Sequence, residues 1–367
     1  MPSTSSKAPS QNPISSAYTS YHPLIQPYTP MKPFATNHEE LIHDVAYDFY
    51  GKQLATCSSD QHIKVFDLDS TTNEWILNDS WKAHDSSIVK LSWAAPEFGK
   101  IIASVSYDKS VRIWEEDLDE PHGSGRRWKK LATLHDSNGP LYDVAFAPSH
   151  LGLRLATIGS DGVLRIYDAL EPADLRSWTV TSEVSVLSIA PANHLQSDFA
   201  LDWCKSRFSP EKLVVSALDQ AFVYNRDSNG KLVRAATLPE HGGLIRSVSW
   251  APSMGRYYQL LATGCKDGKV RFFKLTERLS TAPRPLNGKS PDVDEDMVDA
   301  DAPNVNIQVD LVGQHDDHHG EVWSVSWNLT GTILSSSGDD GKVRLWKASY
   351  NNEFQCLSVI SAEQKDV

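Results

Sequence analysis

The chain of 367 residues holds only four cysteines, Cys57, Cys204, Cys265 and Cys356. They stand far apart, with no pair at metal-ligand spacing and no secretory leader ahead of them. A disulfide framework and a cysteine metal site are therefore excluded, and a reducing compartment is expected. Long hydrophobic runs are missing too. No apolar stretch approaches the roughly 18–20 residues needed to span a bilayer, so any membrane association is expected to be indirect, through partners. Positive charge is scarce: 35 Lys and Arg face 47 Asp and Glu, for a net charge of −12. Binding that follows a phosphate backbone needs clustered Lys and Arg, so direct contact with nucleic acid is not expected. Nothing resembles a nucleophile elbow or a Cys/His nucleophile signature, and no cofactor motif stands out. We therefore expect no enzyme and no cofactor.

What the chain does have is repetition. The clearest copy is Ser335 to Trp346, Ser-Ser-Ser-Gly-Asp-Asp-Gly-Lys-Val-Arg-Leu-Trp. Small residues lead into a tight turn at Asp340-Gly341, and Val343 to Trp346 then reads as a half-buried strand. The interval of six residues from Asp to an aromatic recurs at Asp60–Phe66, Asp108–Trp114, Asp161–Tyr167, Asp267–Phe273 and Asp340–Trp346, while Asp219–Tyr224 is one residue short. A second interval, nine residues from His to an aromatic, recurs at His38–Tyr47, His84–Trp93, His194–Trp203, His241–Trp250 and His318–Trp327. Ser137 stands where the third copy should carry its His. Two independent spacings at one period identify six repeats of the propeller kind.

Taken in order, residues 1–33 are rich in Ser, Thr and Pro and read as a disordered tail. The β-propeller is expected over 34–361, with a disordered acidic insertion at 277–305 and a short tail at 362–367. The insertion carries Asp292, Asp294, Glu295, Asp296, Asp299 and Asp301. The fourth repeat is the least regular, with a long lead from Leu175 to Leu201. Connections at 95–100, 147–154 and 251–259 are expected to lengthen one face, and 115–127 reads as a loop before a strand at 130–134. Gly123-Ser-Gly125 lacks the strand-loop-helix context of a phosphate cradle.

The richest ligand cluster, His315-Asp316-Asp317-His318-His319, invites a metal. His318, however, occupies the repeat position of His84 and His241. The structural reading is a buried imidazole linked to the turn Asp, so that each satisfies the other. The expected network comprises His84, Asp108, Trp114, His241, Asp267, His318, Asp340 and Trp346. The recurring Asp series repeats too regularly to be one catalytic site, and no metal is expected.

Ring closure is the informative question. The sixth repeat has its own fourth strand, Phe354 to Ile360, and only the proline-rich tail precedes His38. First and sixth sheets should then keep unmasked sides, with Val45 and Tyr47 on one and Phe354, Cys356, Leu357 and Val359 on the other as a template for a partner. The run Val45 to Asp67 resembles the opening repeat of the Seh and Sec-thirteen family of WD-repeat nucleoporins and coat proteins. Ser80 to Val89, Ala169 to Trp178, Pro191 to Phe199 and Gly313 to Tyr350 resemble its fungal Seh members. The resemblance spans about Asn37 to Gln364. It implies an all-β, open six-bladed WD-repeat propeller, completed in trans by a blade from an α-helical scaffold nucleoporin of the nuclear pore Y-complex. It further implies heteromeric assembly at the nuclear envelope, with roles in mRNA export and protein transport. A second implied role lies at the vacuolar membrane, among subunits of the SEA/GATOR-type complex that regulates TOR signalling. The alternative is a Sec-thirteen-type subunit of the COPII coat, against which stand the acidic insertion and the long third-to-fourth connection. A third reading is a propeller with a ligand pocket in its channel.

Overall fold

The computed structural model describes residues 34–171, 174–192, 196–227, 229–239, 241–279, 305–351 and 353–361. They form six sheets of four antiparallel strands. Blade 1 is Ile42–Tyr47, Gln53–Ser58, His62–Leu68 and Trp75–Lys82, and blade 2 is Ile88–Trp93, Ile101–Ser106, Val111–Glu116 and Trp128–Leu134. Blade 3 is Leu141–Phe146, Arg154–Gly159, Val163–Glu171 and Asp174–Ser185, and blade 4 is Phe199–Trp203, Lys212–Ala217, Gln220–Arg226 and Leu232–Leu238. Blade 5 is Ile245–Trp250, Gln259–Cys265, Val270–Leu279 and Val305–His315, and blade 6 is Val322–Trp327, Ile333–Gly338, Lys342–Ala348 and Phe354–Ser361. The first strand of each blade lies against the first strand of the next, from blade 1 through blade 6, so first strands line the channel and fourth strands the rim.

Burial explains the composition of the strands. The second strands Gln53–Ser58 and Ile101–Ser106 are buried along their whole length, with a neighbouring layer on each face, and hence carry apolar and small polar residues with no charged one among them. Fourth strands alternate more, because one side meets solvent at the rim. Between the second and third strands every blade has one residue at positive φ: Gln61, Lys109, Gly162, Leu218, Gly268 and Gly341. Glycine adopts that conformation without steric cost, and three blades use it. In blade 4 the residue is Leu218, which precedes Asp219, and this reflects the shortened hairpin there.

Several sequence expectations move. The lead from Leu175 to Leu201, read as part of the fourth repeat, opens in blade 3: its first part is the fourth strand of that blade, paired in register with Val163–Glu171. That strand is mostly exposed and polar, so it carries little apolar periodicity. The strand expected at 130–134 begins earlier, at Trp128, which stacks on Trp81. The 277–305 insertion is narrower, because blade 5 continues to Leu279 and resumes at Val305, with those two residues paired. Asp292 to Asp301, the two tails and His194 lie outside the described residues.

Candidate partner-blade interface

The repeat network is built from hydrogen bonds inside each blade. In blade 2, His84 Nδ1 donates to Asp108 Oδ2 at 2.9 Å, and His84 Nε2 lies 2.8 Å from Ser104 Oγ. Trp114 Nε1 donates to the same hydroxyl at 3.0 Å. The chain of donors therefore runs Trp114 to Ser104 to His84 to Asp108, with a neutral imidazole. Burial drives that neutrality, pushing His84 below its ordinary pKa although Asp108 opposes the shift. Burial also pushes Asp108 up, but hydrogen bonds from His84 and Ser110 outweigh it and hold the carboxyl well below its usual range. Blade 6 repeats the pattern, with His318 between Asp340 at 3.0 Å and Ser336 at 2.7 Å, and Trp346 Nε1 on Ser336 at 2.8 Å. In blade 1, His38 joins Asp60 and Thr56.

Blade 5 departs from the expectation. His241 Nε2 reaches Thr263 Oγ1 at 3.0 Å, but Nδ1 has no partner among the described residues, and Asp267 is taken by Arg271. A guanidinium four residues after the turn Asp competes with the imidazole for the carboxylate, and here it wins. The hydroxyl was not anticipated either. Its signal is a Ser or Thr four residues before the turn Asp: Thr56, Ser104, Thr157, Thr263 and Ser336. The His315 to His319 cluster is dispersed, with His318 in its blade network and His315 packed on Trp346. Among the described residues no group of three or more His, Cys, Asp or Glu could hold a metal ion.

The blades are fastened to one another by a second set of bonds along the channel. A side chain on the first strand of one blade accepts a backbone N–H from the first strand of the next. The pairs are Asp44 with Leu91 N at 3.0 Å, Ser92 with Phe146 N at 3.1 Å and Asp143 with Leu201 N at 2.7 Å. They continue with Asp202 and Trp250 N at 2.7 Å and Ser247 and Val325 N at 3.2 Å. Counted back from the aromatic that ends each first strand, every acceptor lies one or three residues before it. Every donor N–H lies at that aromatic or two before it. At three seams the aromatic is a Trp whose Nε1 also reaches back: Trp93 to Ala46 O, Trp203 to Ala145 O and Trp327 to Ser249 O, at 3.0–3.2 Å. Burial raises Asp143 to about 7, although Lys90 and two backbone amides favour its charged form.

No such bond joins blade 6 to blade 1 among the described residues. The face of blade 1 turned away from blade 2 carries the cross-strand row Tyr47, Leu54, Phe66 and Leu77, with Val45 on the next row. Val45 is 50% exposed and Tyr47 53%. Part of this face is covered by the chain itself. Phe34 packs edge-on against Phe66 at 5.1 Å, and Lys64 donates to the carbonyl of Thr36 at 3.1 Å, but these residues form no strand. The face of blade 6 turned away from blade 5 carries Ser324, Ser326, Ser335, Ser337, Val343, Leu345, Ser358 and Ile360.

Of the expected edge residues, Phe354 is misplaced. It is 4% exposed and stacks on Phe272 of blade 5 at 3.9 Å, so it belongs to the core between blades 5 and 6. Cys356 and Val359 are exposed, but register sets them opposite Trp346 and Arg344, on the side toward blade 5. Leu357 is exposed at the bulge between those pairs. Period-two reading of an edge strand cannot see a bulge, which shifts every side chain beyond it.

Comparison with known proteins agrees with this architecture. The family described as "WD domain, G-beta repeat" matches residues 31–67, 75–115, 232–274 and 310–347. The unmatched stretch contains blade 3, which lacks its His, and most of blade 4 with its short hairpin. Nucleoporin SEH1 of Saccharomyces cerevisiae is 64% identical over 91% of this chain and all of its own length. This chain belongs to the nucleoporin SEH1 family. Nucleoporin seh1 of Schizosaccharomyces pombe is 42% identical, covering 90% of this chain and 96% of its own. Human nucleoporin SEH1 is 36% identical, covering 91% and 89%. A chain in a crystal structure of the mitotic checkpoint complex shares the fold alone, with a TM-score of 0.57 and 16% identity over 85% of this chain and 76% of its own.

Proposed function

We propose that this chain is a non-enzymatic scaffold subunit of the nuclear pore, held in the outer-ring Y-complex by an α-helical nucleoporin that donates a blade between blades 6 and 1. The observation that carries this reading is the seam between those blades. Five neighbouring pairs of first strands are fastened, the sixth is not among the described residues, and Val45 and Tyr47 on the first strand of blade 1 stand half exposed beside it. The family's nucleoporin name supports the pore and the nuclear envelope as its place. Support for pore assembly, mRNA export and protein transport follows from such a scaffold position. A second assembly, the vacuolar SEA/GATOR-type complex acting on TOR signalling, would use the same seam and reach the vacuolar membrane only through its partners.

The test is affinity purification of the tagged chain expressed in Saccharomyces cerevisiae in place of its own SEH1. Y-complex subunits in stoichiometric yield are expected, with vacuolar-complex subunits in a separate fraction. Recovery of vesicle-coat subunits instead would overturn the pore assignment. The Val45→Asp variant should lose the blade-donating subunit while keeping its melting temperature.

A further inference from the structure

The fastening of the five closed seams specifies what the sixth seam lacks on each side. In the closed seams, the acceptor always belongs to the preceding blade, at one or three residues before the terminal aromatic. In blade 6 those positions are Ser326 and Ser324. Both are exposed, and neither hydroxyl has a hydrogen-bond partner among the described residues. The donor always belongs to the following blade, at the aromatic or two residues before it. In blade 1 those positions are Tyr47 and Val45.

Their amides point away from the second strand. The residue after the aromatic, Asp48, donates its N–H to Gln53 O in that strand, just as Ala94 donates to Ile101 O and Ala147 to Arg154 O. Alternation along an antiparallel pair then turns the N–H of Tyr47 and Val45 toward the channel. No side chain among the described residues accepts from either. The Lys90 and Asp44 pair beside them already serves the first closed seam.

We infer that the donated blade is selected by a two-sided hydrogen-bond code: its channel strand presents a free backbone N–H to Ser324 or Ser326 and an Asp, Ser, Thr or Asn side chain to the N–H of Val45 or Tyr47. The inference rests on the blade-donation reading and adds the chemistry by which the blade is chosen and set in register. A strand of merely apolar side chains would fill the gap but leave both rows unpaired. Buried N–H groups without acceptors are costly, so register at the seam is fixed by these bonds more than by the apolar row. The tolerance of the code is visible in the closed seams, where Asp and Ser serve interchangeably as acceptors.

The test uses the blade-donating nucleoporin recovered in the purification above, co-expressed with the full chain. Affinity for the wild-type chain is measured first. If that complex does not form, the blade-donation reading itself fails, whatever the variants do. If it forms, S324A/S326A is expected to weaken it about tenfold, since an unpaired buried donor costs on the order of 1–3 kcal/mol. Ser358→Ala, on the same face at the rim, should leave affinity within twofold. Hydrogen exchange supplies the readout for the other side, where Val45 or Tyr47 should exchange far more slowly in the complex. Unchanged affinity of S324A/S326A, or unprotected amides at both Val45 and Tyr47 within a complex that does form, overturns the code and leaves blade donation standing.

Discussion

Replacing His84 by Ala tests the repeat network at its best-connected member. The imidazole is fully buried, and it is both donor to Asp108 and acceptor for Ser104. Asp108 would keep hydrogen bonds from Ser110 N, Ser110 Oγ and Asp85 N, so the carboxylate is not orphaned. What is lost is one charge-assisted bond of about 1.5–3 kcal/mol and one neutral bond of about 1 kcal/mol, together with the packing of the ring. The total is about 3 kcal/mol. At roughly 2 cal/mol/K per residue over a chain of this size, the melting temperature should fall by about 4 °C, read by circular dichroism. The double variant with Ser104→Ala should cost less than the sum of the single changes, because one chain of bonds is broken twice. His241→Ala should cost about half as much, since only one of its nitrogens is engaged. A shift below about 1 °C for His84→Ala, or strict additivity with Ser104→Ala, would refute the network as a source of stability.

Other outcomes can be measured in the same way. Burial first, and Arg271 second, lower His241 from 6.5 to about 4. Its neutral form is favoured by folding, so stability should be full above pH 6.5 and fall toward pH 4, by at most about 3 kcal/mol, with His241→Gln flattening that limb of a pH titration. Lys109 is exposed at positive φ, and Lys109→Gly should raise stability by about 1 kcal/mol in thermal melts; a loss would show that the side chain matters more than the strain. Deleting Asp292 to Asp301 should leave the melting temperature within about 1 °C, because so acidic a segment has little to bury; a larger loss would show that it packs.

Much of the fold was legible because each repeat encodes local geometry. Asp108 and Trp114 lie on one hairpin, and the six-residue interval between them follows from a turn and the strand after it. The same holds for the hydroxyl at Ser104, which simple inspection of the residue four before each Asp would have found. The His–Asp pairing was readable in blades 1, 2 and 6 but not in blade 5, since the winner between His241 and Arg271 depends on side-chain reach that spacing does not record. The blade-3 rim strand was hidden by its polar, exposed surface, and Phe354 by a bulge. The seam bonds were out of reach altogether. Asp44 meets Leu91, and Ser247 meets Val325, 47 and 78 residues apart in sequence, so no window carries both partners.

The seam also decides between two ways in which a partner could attach. A strand added to the rim of blade 6, along Phe354–Ser361, would satisfy free backbone groups by edge pairing. Every blade has such a rim strand, however, from Trp75–Lys82 in blade 1 to Val305–His315 in blade 5, so rim pairing gives no reason for a partner to choose blade 6. It would also leave Tyr47 and Val45 in solvent and the channel amides of blade 1 unpaired. Filling the seam covers the half-exposed Val45 and Tyr47, meets the two serines and engages those amides at once. Phe34 already packs on that face, against Phe66 and Trp75, and Trp75 in turn packs on Tyr47, so a partner meets a surface that the chain's own aromatics have partly covered. Substitutions at Ser326 or Val45 should then act on whether the complex forms, whereas those at Leu357 or Val359 should act little, since both stand on the rim strand and Val359 faces blade 5.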